Sequence, residues 1–143
     1  MKISTRGRYA LRIMIDLAER KGATYVPLRD IAERQEISEK YLESIVSLLV
    51  KANILIGLRG KGGGYRLADR PEAFTAGQIL RLTEGSIAPV ACLDTSASRC
   101  CRAAECKTLP MWLELERRIN DYLDGVTIAD LAQSEEDSDF YVI

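Results

Sequence analysis

The sequence contains no histidine. That absence removes Ser-His-Asp and Cys-His catalysis, histidine-ligated metal sites, and the side chain that most often switches charge near neutral pH. No nucleophile–base pairing is visible among the remaining residues, so an enzyme is not expected. Long apolar runs are missing too. Nothing approaches the roughly 18 residues of a membrane-spanning helix, and no membrane partner is expected. The opening MKISTRGRYALRIMIDLAERKG resembles an export signal only superficially. Arg12, Asp16 and Glu19 interrupt its apolar residues and no small-residue cleavage site follows, so a cytoplasmic protein is expected. There is also no CxxC pair, which disfavours a zinc knuckle.

What is present is unevenly charged. Residues 1–70 carry 14 Lys and Arg against 8 Asp and Glu, whereas residues 71–143 carry 6 against 13, and the net charge of −1 conceals the split. A cationic head that meets a polyanion, joined to a segment with another task, fits this pattern.

In the head, Ser4-Thr5 can cap a first helix with Tyr9, Ile13, Leu17, Met14 and Ala18 on adjacent stripes, stopped by Lys21-Gly22. A short second helix begins with Pro27 in its first turn and turns Leu28, Ile31 and Ala32 inward. After a bend of about four residues filled by Ile37, Ser38 caps a third helix, with Tyr41 three residues on. That helix runs to about Lys51 with Leu42, Ile45, Val46 and Leu49 inward. Two helices so joined form a helix-turn-helix pattern.

The next segment decides what kind. Ile54 to Arg59 is rich in β-formers, and Tyr65-Arg66-Leu67 can pair back onto it across the glycines of RGKGGGYRL. A phosphate-cradling P-loop would lead from strand into helix and end in Gly-Lys-Ser/Thr, and a linker would not be bracketed by β-formers. The expected fold class is therefore mainly α with a small β-hairpin wing. Arg59, Lys61 and Arg66 on that wing suit phosphate or minor-groove contact, with bare backbone at Gly62 and Gly63 allowing close approach. The exposed face of the third helix, Ser38, Glu39, Lys40, Tyr41, Glu43, Ser44 and Ser47, would lie in the major groove. There Glu43 can accept from a cytosine amino group.

The second half holds a short helix at 75–83, closed by Glu84-Gly85, and then all four cysteines within fifteen residues: Cys92, Cys100, Cys101 and Cys106. Clustered cysteines in a chain read as cytoplasmic favour metal binding or redox sensing over structural disulfides. An iron–sulfur cluster on three thiolates plus another ligand is one expectation. A thiol switch at the adjacent Cys100-Cys101, activated by Arg99 and Arg102, is another. From Pro110 a long helix runs to Asp124-Gly125, with Met111, Trp112, Leu115, Ile119, Tyr122 and Leu123 as an apolar stripe suited to homodimerisation. The acidic SEEDSDFYVI ending has no assigned role. The expected division is a winged helix-turn-helix head at 1–70, a connecting helix and loop at 71–91 and a cysteine loop at 92–106. A dimerisation helix at 107–125 and a tail at 126–143 complete it.

The start KISTRGRYALRIMIDLA, the segment ISEKYLESIV, the wing RGKGGGYRLA and the following TAGQIL…EG resemble the Rrf-two family of bacterial winged-helix repressors over residues 1 to 132. The resemblance implies a homodimer bound to a pseudo-palindromic double-stranded DNA operator, with Glu43 and Arg59 as DNA contacts. A third contact, a serine in the family, is Lys40 here. It also implies that Cys92, Cys100 and Cys106 match the three cysteines of cluster-binding members. The five residues from Cys100 to Cys106 match their spacing, whereas the seven from Cys92 to Cys100 form a longer gap. A two-iron cluster is favoured, with a four-iron one open. The family's fourth ligand is absent: the position of its histidine is Leu109 and that of its first-helix carboxylate is Arg8. Cys101, a carboxylate or an external thiol could substitute. Within the family, a regulator of cysteine metabolism controlled by a partner enzyme is the remaining alternative.

Overall fold

The computed structural model describes residues 1–20, 24–94, 96–98 and 100–133. Helix α1 (Thr5–Glu19) begins at Ser4, whose hydroxyl accepts the Gly7 N–H at 3.3 Å. It buries Ala10, Ile13, Met14 and Leu17. The expected stop at Lys21-Gly22 lies outside the described residues. Helix α2 (Leu28–Gln35) has Pro27 as its N-cap, one place earlier than expected, and buries Leu28, Ile31 and Ala32. Its end turns at Glu36, with φ of 54°, and the buried Ile37 fills the bend. Helix α3 (Glu39–Lys51) starts at Ser38, whose Oγ accepts the Tyr41 N–H at 3.2 Å. The bend is thus residues 36–38, one shorter than expected.

Strands β1 (Leu55–Leu58) and β2 (Gly64–Leu67) pair antiparallel from Leu55 opposite Leu67 to Leu58 opposite Gly64. The tip between them closes through Gly63 N–H to Gly60 O at 3.0 Å. A feature with no sequence signal adds to this hairpin. Val26 pairs with Tyr65 through two backbone hydrogen bonds of 2.8 Å, so the residue entering α2 adds a one-residue third strand beside β2. Gly64 makes that approach possible: its φ is +149°, and a Cβ there would collide with the Val26 carbonyl.

The core does not stop at residue 70. Helix α4 (Ala76–Glu84), capped by Thr75 and ended by Gly85, packs on α1, as does α6 (Ile128–Gln133). Phe74, Ile79 and Ile128 join the cluster formed by α1 to α3. The span 126–143, expected only as a tail, therefore contributes a buried helix in its described part, while SEEDSDFYVI lies outside the described residues. Helix α5 (Leu109–Gly125) buries no residue and packs on α4, where Arg81 donates to both oxygens of Asp124 at 2.8 Å and to Asn120 Oδ1 at 2.8 Å.

Candidate functional site

The helix-turn-helix is held at its back by a buried carboxylate. Asp16, 1% exposed on the apolar face of α1, accepts from Arg34 at 2.7 and 3.1 Å and from Gln35 at 2.9 Å. Burial alone would push this carboxyl up. The hydrogen bonds from Arg34 and Gln35, and the charges of Arg34 and Arg20, outweigh burial and hold it below the ordinary carboxylate range. Gln35 also receives Arg12 on its side chain, at 3.0 Å, and on its carbonyl. These contacts fix α2 against α1, so that α3 is presented from a rigid base.

Between α2, α3 and the hairpin lies an open groove of about 670 Å³. Glu43 and Ser47 line it from α3 and Arg59 from the wing, joined by Arg29 of α2 and Lys51 at the end of α3. Glu43 and Arg59, distant in sequence, thus face one space. Arg29 and Lys51 are additions that sequence periodicity had not singled out; both are exposed cations on elements already expected to flank nucleic acid. Gly63 lines the same groove, while Lys61 and Gly62 are exposed at the tip. Ser38, Lys40, Tyr41 and Ser44 are exposed along the N-terminal half of α3. Ser44 Oγ donates to the Tyr41 carbonyl at 2.7 Å, and the Tyr41 ring meets Tyr9 edge-on at 5.8 Å.

Arg66 is the exception. Side chains alternate along a strand, and whereas Tyr65 lines the groove, Arg66 lines a second cavity on the other side of the hairpin. Its guanidinium lies over the Tyr25 ring at 5.1 Å. The structure therefore does not bring Arg66 together with Arg59.

The cysteine segment has different character. Two short 3-10 turns, Ala91–Leu93 and Ala103–Glu105, hold it, and none of its described residues is buried. Cys92, Cys100 and Cys106 nevertheless line one small cavity of about 220 Å³, walled by Leu93, Ala103, Leu109 and Leu113; Cys101 is not part of its lining. Leu109 closes one side with an apolar group, so the described residues lining the cavity supply three sulfur donors. Among the described residues, no three Cys, Asp or Glu side chains converge closely enough to hold a metal ion. Cys106, just before α5, contacts Thr108 Oγ1 at 3.4 Å. That hydroxyl, with the Thr108 and Leu109 backbone N–H groups and the Arg102 charge, lowers its thiol pKa. Arg99, expected to activate Cys100 and Cys101, lies outside the described residues.

On α5, Met111, Leu113, Leu115 and Tyr122 are exposed, Tyr122 at 73%. Trp112 and Ile119, placed on the same stripe from the sequence, are half-buried. Beside them Arg117 and Arg118 pair with Glu114 and hold its carboxyl down to about 2. No helix among the described residues is long and apolar enough to cross a membrane.

Comparison with known proteins accounts for this combination. Residues 3–134 match the Rrf2 family, described as an iron-dependent transcriptional regulator. The chain is 41% identical over 132 residues to the HTH-type transcriptional regulator CymR of Bacillus subtilis, covering 92% of this chain and 90% of that one. It is 37% identical over 136 residues to the HTH-type transcriptional regulator IscR of Aliivibrio salmonicida, covering 95% of this chain and 80% of that one. The solved structure of CymR, the global cysteine regulator of B. subtilis, superposes with a TM-score of 0.76 at 40% identity, over 92% of this chain and 96% of that chain. With the helix-turn-helix, the wing and these relatives together, the chain belongs to the Rrf2 family of DNA-binding transcriptional regulators and not to a family of enzymes.

Proposed function

We propose that this regulator is a homodimer whose operator binding is governed by an iron–sulfur cluster held on Cys92, Cys100 and Cys106. The observation that carries the proposal is the shared cavity: Cys92 in the first turn, Cys100 between the turns and Cys106 directly after the second all line it, and Cys101 does not. Thiolates are the donors such clusters prefer, and when bound the cluster supplies a redox- and iron-responsive charge. The fourth ligand comes from Cys101, a carboxylate or an external thiol, and a two-iron cluster is the favoured type. Drawing the three sulfurs together disturbs no core packing, because no described residue of the segment is buried.

The segment joins α4 to α5, so a change in it alters how those helices meet at Arg81 and Asp124. It also reaches the reading head. Glu84 at the end of α4 accepts from Ser4 N–H and Oγ at 2.9 and 2.7 Å, tying α4 to the start of α1. The exposed Met111, Leu115 and Tyr122, with Trp112 and Ile119 beside them, supply the self-association surface. On the operator, Glu43 and Arg59 read bases from the groove. Ser38, Lys40, Tyr41, Ser44, Lys61 and the Gly62-Gly63 backbone position the phosphates. A coupling of about 1–3 kcal/mol between loop and operator would change occupancy 5- to 150-fold.

Oxygen-free purification with iron and sulfide counted per protomer tests this. Matching iron and sulfide, with visible absorbance lost in Cys92→Ala, is the expected result. A colourless protein that stays iron-free after reconstitution overturns it. One observation favours a second reading in that event: Cys106 has a lowered thiol pKa from its Thr108 contact, as a metal-free thiol switch needs. Mild peroxide followed by mass spectrometry would then place the modification at Cys106.

A further inference from the structure

The cavity behind the wing has no part in either proposal above. It is an open pocket of about 590 Å³, within the size range of small-molecule sites. Three arginines line it from three different elements: Arg20 after α1, Arg66 on β2 and Arg70 in the connection to α4. Asp69 is the single carboxylate in the lining among the described residues, and one of its oxygens is already engaged by the Arg70 backbone N–H at 2.7 Å. None of the three guanidinium groups forms a salt bridge among the described residues.

Arg66 is the most constrained of them. Its guanidinium stacks over Tyr25, and its Nε is enclosed without an acceptor among the described residues. The guanidinium carries further N–H donors besides Nε, and an oxyanion with two acceptor oxygens matches such a fork. Beside Thr24, the rest of the described wall is apolar, including Leu17, Val26 and Pro71. That combination suits a small molecule with an anionic end and a short carbon body.

We propose that this pocket is an effector site for a small oxyanion, a phosphate- or carboxylate-bearing metabolite, held by Arg20, Arg66 and Arg70. The site spans the end of α1, the wing and the lead into α4, so an occupant bridges the reading head to the helix that carries the cysteine segment. Occupancy and DNA binding are then linked, and each alters the other by the same factor.

The alternative source of an oxyanion is the DNA backbone, and one experiment separates the two. Inorganic phosphate is titrated into the isotope-labelled full chain, with sodium chloride at matched ionic strength as control. Backbone amide resonances of Arg20 and of Leu67 to Arg70 are followed. The expected result is a saturable shift with phosphate only, weakened at least about tenfold, equivalent to 1.4 kcal/mol, in Arg20→Gln/Arg70→Gln. Arg20→Lys/Arg70→Lys, which keeps the charge, retains part of the response and serves where the glutamine pair folds poorly. Shifts that never saturate, or that survive in the glutamine pair, overturn the proposal. The same variants are tested against a nonspecific DNA duplex. Loss of duplex binding in a protein that shows no phosphate response assigns the arginines to the DNA backbone and likewise overturns it.

Discussion

The reading head and the cysteine segment are built on opposite terms. In the head, every helix from α1 to α3 buries a continuous apolar face, Ser4 and Ser38 cap their helices, and Asp16 is fully partnered by Arg34 and Gln35. In the cysteine segment two three-residue turns are the only helical structure among the described residues, Cys92 alone lies within one of them, and nothing described is buried. The head presents a fixed surface, whereas the segment presents reactive groups whose arrangement little else constrains. Regions that switch are drawn from the less stable parts of a fold, and regions that read sequence benefit from preorganisation. The proposed roles of the two parts divide along that line.

The two regions separate most clearly at Cys92. Cys92→Ala is expected to abolish iron uptake outright while leaving thermal stability within about 0.5 kcal/mol, since the residue is exposed. A large fall in melting temperature would show that the segment supports the fold after all. Asp16→Ala should do the reverse, costing roughly 3 kcal/mol in chemical denaturation because it strands Arg34 and the Gln35 amide, with thiol reactivity unchanged. The same carboxylate sets a pH dependence. Its folded pKa lies below its unfolded value of about 3.9, so its contribution is present above that pH and is lost as pH falls through the folded value. Asp16→Asn should flatten the acid limb of a stability–pH curve.

Smaller effects sharpen the picture. Arg59→Ala should weaken operator binding by about 1–3 kcal/mol and relax preference at one base, read by competition with mutated duplexes. If it weakens all sequences alike, Arg59 is a phosphate contact. Ser38→Ala removes the α3 cap at a cost of about 1 kcal/mol, seen in denaturant midpoints, and should leave iron content unaltered.

Much of the head was legible because its signals are local and redundant. In α3 a capping serine, an apolar repeat at helical spacing and a following β-rich run all agree, and the element appears as Glu39–Lys51. The cysteine triplet was singled out by resemblance, with only the gap from Cys100 to Cys106 at the family's spacing, and the same three residues line one cavity. What escaped had weak or nonlocal signals. Val26 pairs with Tyr65 as one residue on each side, too short for any periodicity. Helix α6 has six residues, and only its packing on α1 shows that Ile128 belongs to the core. Asp16 did carry a clue, a carboxylate between Ile13 and Leu17 on an apolar face, but its partners lie 18 and 19 residues away. That Arg66 lines the cavity opposite Tyr65 follows from strand alternation, which the sequence reading did not count.

The rung between Val26 and Tyr65 has a consequence for how such a protein can be tuned. It welds the wing to the residue that opens α2, so the distance between recognition helix and wing is set once, in the fold, like the teeth of a key. A signal arriving through α4 therefore has no purchase on the cut of the key. In the proposed homodimer it would act only on how two keys are held apart, and an operator would discriminate the two states by the phase between its half-sites rather than by their letters.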